Sequence, residues 1–112
     1  MRMKIRRIVM FTSRMEAMTA FYRDVIGLEL QVNEKGWKDF DAGGINLALH
    51  IGTSEVGRRP PKLVFHSDDV AATREALIRR GAKMGKVKSG SGLDLCEGAD
   101  PDGNPFQISN RA

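Results

Sequence analysis

Residues 20–28 read AFYRDVIGL, and this stretch decides the fold because it contains the end of a helix and the start of a strand. Before Gly27, apolar residues recur at the spacing of one helix face, at Met15, Met18, Phe21, Tyr22 and Val25. Gly27 is suited to end the helix because glycine adopts the left-handed conformation at little cost. Ser13 and Glu16 have the spacing of a capping box at the helix start. The pattern therefore predicts a helix over residues 15–25.

Strands are predicted on both sides of this helix. Short apolar or alternating segments fall at residues 5–12 before it, and at 28–33, 37–41 and 45–51 after it. Turn residues separate the later segments, with Gly36 in one turn and Gly43 and Gly44 in the next. The first half of the chain is therefore predicted to have the order β-α-β-β-β.

The second half repeats this order after a polar segment that ends in Pro60 and Pro61, which stop both a helix and a central strand. Ser67 or Asp68 can cap the helix of this half, and Gly81 can close it. The predicted elements are a strand at 62–66, a helix at 70–80, weaker strands near 84–88 and 93–97, and a final strand at 105–109.

The two halves are similar to each other when one is shifted along the other. A shift of 55 residues pairs Arg7 with Lys62 and Met10 with Phe65, and the last strands pair after two further residues, His50 with Gln107. Inward and outward positions keep their parity in every pair. The sequence therefore predicts an internal repeat of one structural module.

Composition restricts the class of protein. The chain has 112 residues, 41% apolar and 29% charged, which suits one globular domain. The net charge of +4 favours anionic partners, but the basic residues are dispersed and the aromatic residues are few, so nucleic acid is disfavoured. The single cysteine, Cys96, is expected to be a packing residue. No stretch has the pattern of a membrane span or a signal peptide, so we expect a cytoplasmic protein with no membrane partner.

Four segments together resemble the vicinal-oxygen-chelate superfamily, which includes glyoxalase I, extradiol dioxygenases, and fosfomycin- and bleomycin-resistance proteins. The segments are residues 20–28, 43–50, 65–70 and 100–107. The resemblance implies an α+β fold in which two pseudo-symmetric βαβββ modules form cup-shaped mixed sheets around a cavity, with helices outside. It implies one domain over residues 1–112, with module one at 1–52, a linker at 53–61 and module two at 62–112. It also implies a homodimer.

The resemblance further identifies the positions where metal-dependent members hold their ion. Such members use histidine and glutamate there, whereas the matching residues in this chain are Arg7, His50, Lys62 and Gln107. The side chains of Arg7 and Lys62 are cationic and offer no lone pair, so His50 is the only well-suited ligand. We therefore expect no metal cofactor. A divalent metal at a variant site of His50, His66 and Gln107 remains the alternative.

The same substitutions predict an anion site. Two buried cations require an acidic partner or an anionic ligand. One hypothesis is a metal-free pocket for a small anionic molecule, with Arg7 and Lys62 as anchors, and with the other ligand-binding residues being His50, His66, Gln107 and Trp37. The alternative for the two cations is structural salt bridges with Asp39, Asp41 or Asp94. The alternative function is a metal-dependent lyase, isomerase or dioxygenase with an atypical site, or an acid/base catalyst that uses either histidine.

Overall fold

In the computed structural model, which describes residues 1–112, the first unit (Met1–Glu55) is a four-stranded mixed sheet with one helix. Its elements are β1 (Arg7–Thr12), α1 (Met15–Ala20) continued by a π-helical segment (Phe21–Ile26), β2 (Glu29–Glu34), β3 (Trp37–Asp41) and β4 (Asn46–Ile51). The strand order is β1-β4-β3-β2. Strand β1 is parallel to β4, and the other neighbours are antiparallel.

The second unit (Val56–Ala112) has the same organisation. Its elements are β5 (Leu63–His66), α2 (Val70–Arg79), β6 (Lys88–Gly90), β7 (Leu93–Ala99) and β8 (Pro105–Ser109). The strand order is β5-β8-β7-β6, with β5 parallel to β8. The predicted α+β class with two βαβββ modules is therefore confirmed. Neither helix has the length and hydropathy that crossing a bilayer requires.

Alternation along β1 and β4 gives the first sheet its two different faces. Ile8 and Met10 pair with Leu47 and Leu49 on the face against which α1 packs, and both leucines are buried. The core on this face is completed by fully buried side chains of Met18, Tyr22 and Phe40. Burial of each large apolar side chain contributes about 1.5–3 kcal/mol, so this face holds the unit together.

The core of the second unit lies between α2 and strands β7 and β8. It consists of Val70, Leu77, Cys96, Phe106 and Ile108, all of which are buried. Burial raises the pKa of the Cys96 thiol, while Arg74 opposes this shift and Glu97 adds to it by smaller amounts, so the thiol stays protonated at neutral pH. Cys96 is thus a packing residue, as the sequence predicted.

The end of the first helix differs from the sequence prediction. We predicted one helix over residues 15–25, whereas the segment Phe21–Ile26 is π-helical. The amide groups of Gly27 and Leu28 both donate to the carbonyl oxygen of Tyr22, at 3.1 and 2.9 Å, and Gly27 has the left-handed φ of 92° that ends the helix. Phe21 and Tyr22, at the start of this segment, are both buried.

Neither helix begins with the cap that the sequence predicted. The cap position of α1 is Arg14, which makes no side-chain cap bond. Ser13, the predicted cap, is instead bonded to the hydroxyl of Ser54, through its amide at 2.7 Å and its own hydroxyl at 2.8 Å. The cap of α2 is Asp69, whose carboxylate accepts from the amide of Ala72 at 3.0 Å. The sequence prediction of Ser67 or Asp68 was therefore one or two residues early.

Strand β6 also lies later than the predicted segment near 84–88. Ser91 and Gly92 have φ values of 52° and 78°, which form a tight two-residue hairpin turn. This turn fixes the register that pairs Gly90 with Leu93 and Lys88 with Leu95. Met84 makes only an isolated bridge to Gly98. The turn, rather than the apolar residues before it, therefore decides where the strand forms.

Gly98 in β7 leaves space for two neighbouring side chains. A Cβ atom at this position would lie 2.5 Å from the ring of buried Phe106 and 2.7 Å from the sulfur of Met84. We expect Gly98→Ala to reduce the free energy of unfolding by about 1–3 kcal/mol, because the core has to shift to accept the methyl group. Urea denaturation measures the loss. Gly90→Ala, which meets no atom within 4 Å, is the control, and equal stability of the two variants would contradict the packing argument.

Candidate ligand-binding face

The sheet of the first unit has an open face on the side away from α1. Register places three rows of side chains on it: Arg7, Val9 and Phe11 from β1, Asn46, Ala48 and His50 from β4, and Trp37, Asp39 and Asp41 from β3. Val9 and Phe11 are 40% and 55% exposed, although both are apolar. We call these nine residues the open face of the first sheet.

Arg7 is the most constrained charged group on the open face. Its Nε donates to Oδ2 of Asp39 at 2.8 Å, and its guanidinium carbon lies 5.8 Å from the ring centre of Trp37. To reach Asp39 on β3, the side chain passes over β4 near Ala48, whose small side chain leaves room for it. The terminal nitrogens of Arg7 make no hydrogen bond within the chain.

Asp39 is a buried carboxylate with a single partner. Its side chain is only 5% exposed, and Oδ1 is buried without any hydrogen-bond donor. A buried acceptor without a partner costs about 1–3 kcal/mol, so the bond from Arg7 is the main compensation for burying this carboxylate. Of the three aspartates proposed from sequence as partners of Arg7, the structure pairs it with Asp39.

His50 lies between two aromatic side chains on the open face. Its ring centre is 5.4 Å from that of Phe11 and 6.0 Å from that of Trp37. Nδ1 lies 2.8 Å from the carbonyl oxygen of Ile51. Because a carbonyl oxygen can only accept, Nδ1 carries the proton in this contact, and Nε2 of the neutral ring keeps its lone pair.

The second unit holds the other predicted site residues in a different arrangement. Oε1 of Glu97 accepts from Nζ of Lys62 at 3.3 Å and from Nε2 of Gln107 at 2.7 Å. The side chains of Lys62 and Glu97 are 40% and 43% exposed, in contrast to buried Asp39. Nε2 of His66 is 3.7 Å from the fully exposed carboxylate of Asp68, apart from this cluster.

Sequence reasoning missed Glu97, the shared partner of Lys62 and Gln107. It named Asp39, Asp41 and Asp94 as candidate acids for both cations. Glu97 is the direct register partner of Gln107 across β7 and β8, and this pairing was the available signal. Three of the site residues that the sequence predicted do lie together on the open face: Arg7, Trp37 and His50.

The family's metal positions do not carry a metal-binding set in this chain. Arg7 and Lys62 are each engaged with a carboxylate, and the amide nitrogen of Gln107 is directed at Glu97. Among the family's metal positions His50 is the single imidazole, and Gln107 offers only a neutral amide oxygen. No group of three or more His, Cys, Asp or Glu side chains is arranged to hold an ion. These residues therefore do not fit the divalent metal of the metal-dependent relatives.

Comparison with known proteins places the chain in a family. Residues 7–109 match the family described as glyoxalase-like domain, and the chain belongs to it. No curated protein matches the sequence. The vicinal-oxygen-chelate resemblance that the sequence motifs indicated is thereby confirmed.

Solved structures with the same fold differ widely in sequence. A glyoxalase/bleomycin resistance protein/dioxygenase from Nocardioides has a TM-score of 0.79 and 19% identity, covering 97% of this chain and 83% of its own. The antibiotic binding protein TnmS3 from Streptomyces sp. CB03234 has a TM-score of 0.75 and 22% identity, with 96% and 94% coverage. Lactoylglutathione lyase from Agrobacterium tumefaciens has a TM-score of 0.75 and 21% identity, with 95% and 92% coverage. At these identities the likeness shows the fold alone.

The two cation–carboxylate pairs make different predictions for stability. We expect Arg7→Met to lower the free energy of unfolding by about 1–3 kcal/mol, because it leaves the buried carboxylate of Asp39 without a donor. Lys62→Met removes a pair that is largely exposed, so we expect a loss within about 1 kcal/mol. Urea denaturation of the matched variants measures both. Similar losses would show that burial of Asp39 does not distinguish the pairs.

Proposed function

We propose that this glyoxalase-like protein binds a small organic anion without a metal, on the open face of the first sheet. The observation that carries the proposal is how the guanidinium group of Arg7 is bonded. Asp39 holds its Nε and Trp37 lies beneath its guanidinium group, whereas its terminal nitrogens have no partner in the chain.

A guanidinium group in this state is suited to an oxyanion. The terminal nitrogens form a planar fork that matches the two oxygens of a carboxylate or the oxygens of a phosphate. Contacts at Nε and at the ring of Trp37 limit the motion of the group before a ligand arrives, which reduces the entropy lost on binding. Asp39 offsets the charge of Arg7, so we expect directed hydrogen bonds to contribute more to affinity than long-range attraction.

The apolar residues of the open face favour a ligand with an apolar body. Val9 and Phe11 follow Arg7 along the same row of β1, and both are exposed. The rings of Trp37 and His50 flank the far end of this row. A molecule with one anionic group and a ring or short hydrocarbon body would bury the exposed apolar surface and contact Arg7 at the same time.

The predicted ligand-binding residues of the second unit are less available to a ligand than Arg7. Lys62 and Gln107 share the carboxylate of Glu97, so their donors are already partly used. We therefore assign the anchor to Arg7, and a ligand-binding role for Lys62, His66 and Gln107 within the second unit stays a prediction of the sequence. An antibiotic binding protein and a lyase share this fold, so the fold by itself selects neither binding nor catalysis.

Titration calorimetry with benzoate and phenyl phosphate as probes tests the anchor. We expect Arg7→Met to weaken binding of either anion by at least about tenfold, because charge-assisted hydrogen bonds are lost. Arg7→Lys keeps the charge without the planar fork, so its affinity for the probes should fall between that of the wild type and that of Arg7→Met.

Arg79→Gln is the matched control, since it removes one positive charge at the exposed end of α2 and should leave affinity nearly unchanged. Thermal melting confirms that each variant is folded at the assay temperature. The proposal fails if neither probe binds the wild-type protein, or if Arg7→Met binds as tightly as the wild type.

A metal-dependent lyase, isomerase or dioxygenase with an atypical site is the second candidate, and one observation favours it. The bond from Nδ1 of His50 to the carbonyl oxygen of Ile51 leaves the lone pair of Nε2 available, and metal-bound imidazoles are commonly held by a bond of this kind. In that case His50 would be the one strong protein ligand of the ion.

Metal retention separates the two candidates. We expect protein soaked in zinc, manganese, iron or nickel to lose the ion once the excess is removed, because the single imidazole of His50 binds such an ion weakly. Elemental analysis measures the content, with His50→Ala as control. One tightly held ion per chain in the wild type, absent from His50→Ala, would overturn the metal-free proposal.

A further inference from the structure

We infer that the anion bound on the open face also carries a hydrogen-bond donor, such as a hydroxyl group, at the other end of a short ring-sized body. The inference rests on the proposed function and adds the chemical class of the ligand. It follows from the hydrogen-bonding polarity of Arg7 and His50.

The two groups have opposite polarity. Arginine has only donors, and the terminal nitrogens of Arg7 have no partner in the chain. Nε2 of neutral His50 is an acceptor, because the proton of the ring is committed at Nδ1 to the carbonyl oxygen of Ile51, 2.8 Å away. The open face thus presents donors for an anion at one place and an acceptor for a hydroxyl or N–H group at another.

The spacing of these groups fits one small molecule. The guanidinium carbon of Arg7 lies 5.8 Å from the ring centre of Trp37, and the ring centre of His50 lies 6.0 Å from the same point. A ligand body beside Trp37 can therefore reach both groups. Phe11, 5.4 Å from His50 between ring centres and 55% exposed, offers an apolar surface for that body.

The acidic groups of the open face are either occupied or lie at the other end of the sheet from the exposed aromatic rings. Oδ2 of Asp39 accepts from Arg7, and Oδ1 is buried out of reach. Asp41 lies at the end of β3, where its carboxylate accepts from the amide of Gly43 at 2.9 Å. His50 is therefore the acceptor that stands next to the exposed aromatic surface.

The acceptor at Nε2 of His50 lowers the affinity for some anions and raises it for others. A ligand that covers Nε2 without offering a donor leaves a desolvated acceptor unpaired, and this lowers its affinity. A ligand with a hydroxyl group at that point gains a hydrogen bond. The geometry points to hydroxylated cyclic or aromatic carboxylates, rather than to plain aromatic or aliphatic carboxylates.

Calorimetry with a matched set of ligands tests this class. The set is benzoate, 3- and 4-hydroxybenzoate and the corresponding methoxybenzoates, near neutral pH where the phenol keeps its proton. We expect one hydroxybenzoate to bind wild-type protein about five- to tenfold more tightly than benzoate and than its methoxy counterpart. The methoxy compounds keep the oxygen and the size but lack the donor.

His50→Phe keeps a ring at the position and removes the acceptor. Whatever its affinity for benzoate, we expect this variant to bind neither hydroxybenzoate more tightly than benzoate, because the acceptor at Nε2 is gone. The inference is overturned if the wild type shows no preference, or if the preference survives in His50→Phe. Binding of benzoate without any hydroxyl preference would leave the proposed function standing, whereas failure of the whole set to bind would remove both.

Discussion

In each unit the first strand pairs in parallel with the last, and the candidate side chains are placed by this pairing. It brings Phe11 beside His50 in the first unit and Val64 beside Gln107 in the second, although more than 35 residues separate the members of each pair. Side chains alternate along a strand, so a slip of one residue would move His50 into the helix-covered core and Leu49 to the open face. Burial of Leu47 and Leu49 opposes such a slip.

Much of the fold could be predicted because its signals are local. Strands β3 and β8 lie at the residues that the alternation predicted, and Gly27 ends its helix as expected. The π-helical segment could not be predicted, because its apolar residues also fit one face of an α-helix. The missing cap of Ser13 depends on Ser54, which is distant in sequence and competes for the same hydroxyl group.

The candidate site was only partly predictable, for a related reason. Parity along single strands was enough to place Arg7 and His50 on one face, and the partner Asp39 was among the acids that the sequence offered. Glu97 depends on the register of β7, where the sequence pattern was weak. The difference in burial between Asp39 and Glu97, which makes one cation pair structural and the other exposed, arises only when the sheets are formed.

The π-helical segment has a consequence for how the two halves of the chain correspond. Met15 and Val70 begin the two helices 55 residues apart, whereas the glycines that follow the helices, Gly27 and Gly81, are 54 residues apart. The first helix therefore has one residue more between equivalent landmarks, and a π turn absorbs such an insertion while the flanking strands keep their places. An alignment of the two halves needs a one-residue gap within Phe21–Ile26, and no single shift superimposes them throughout.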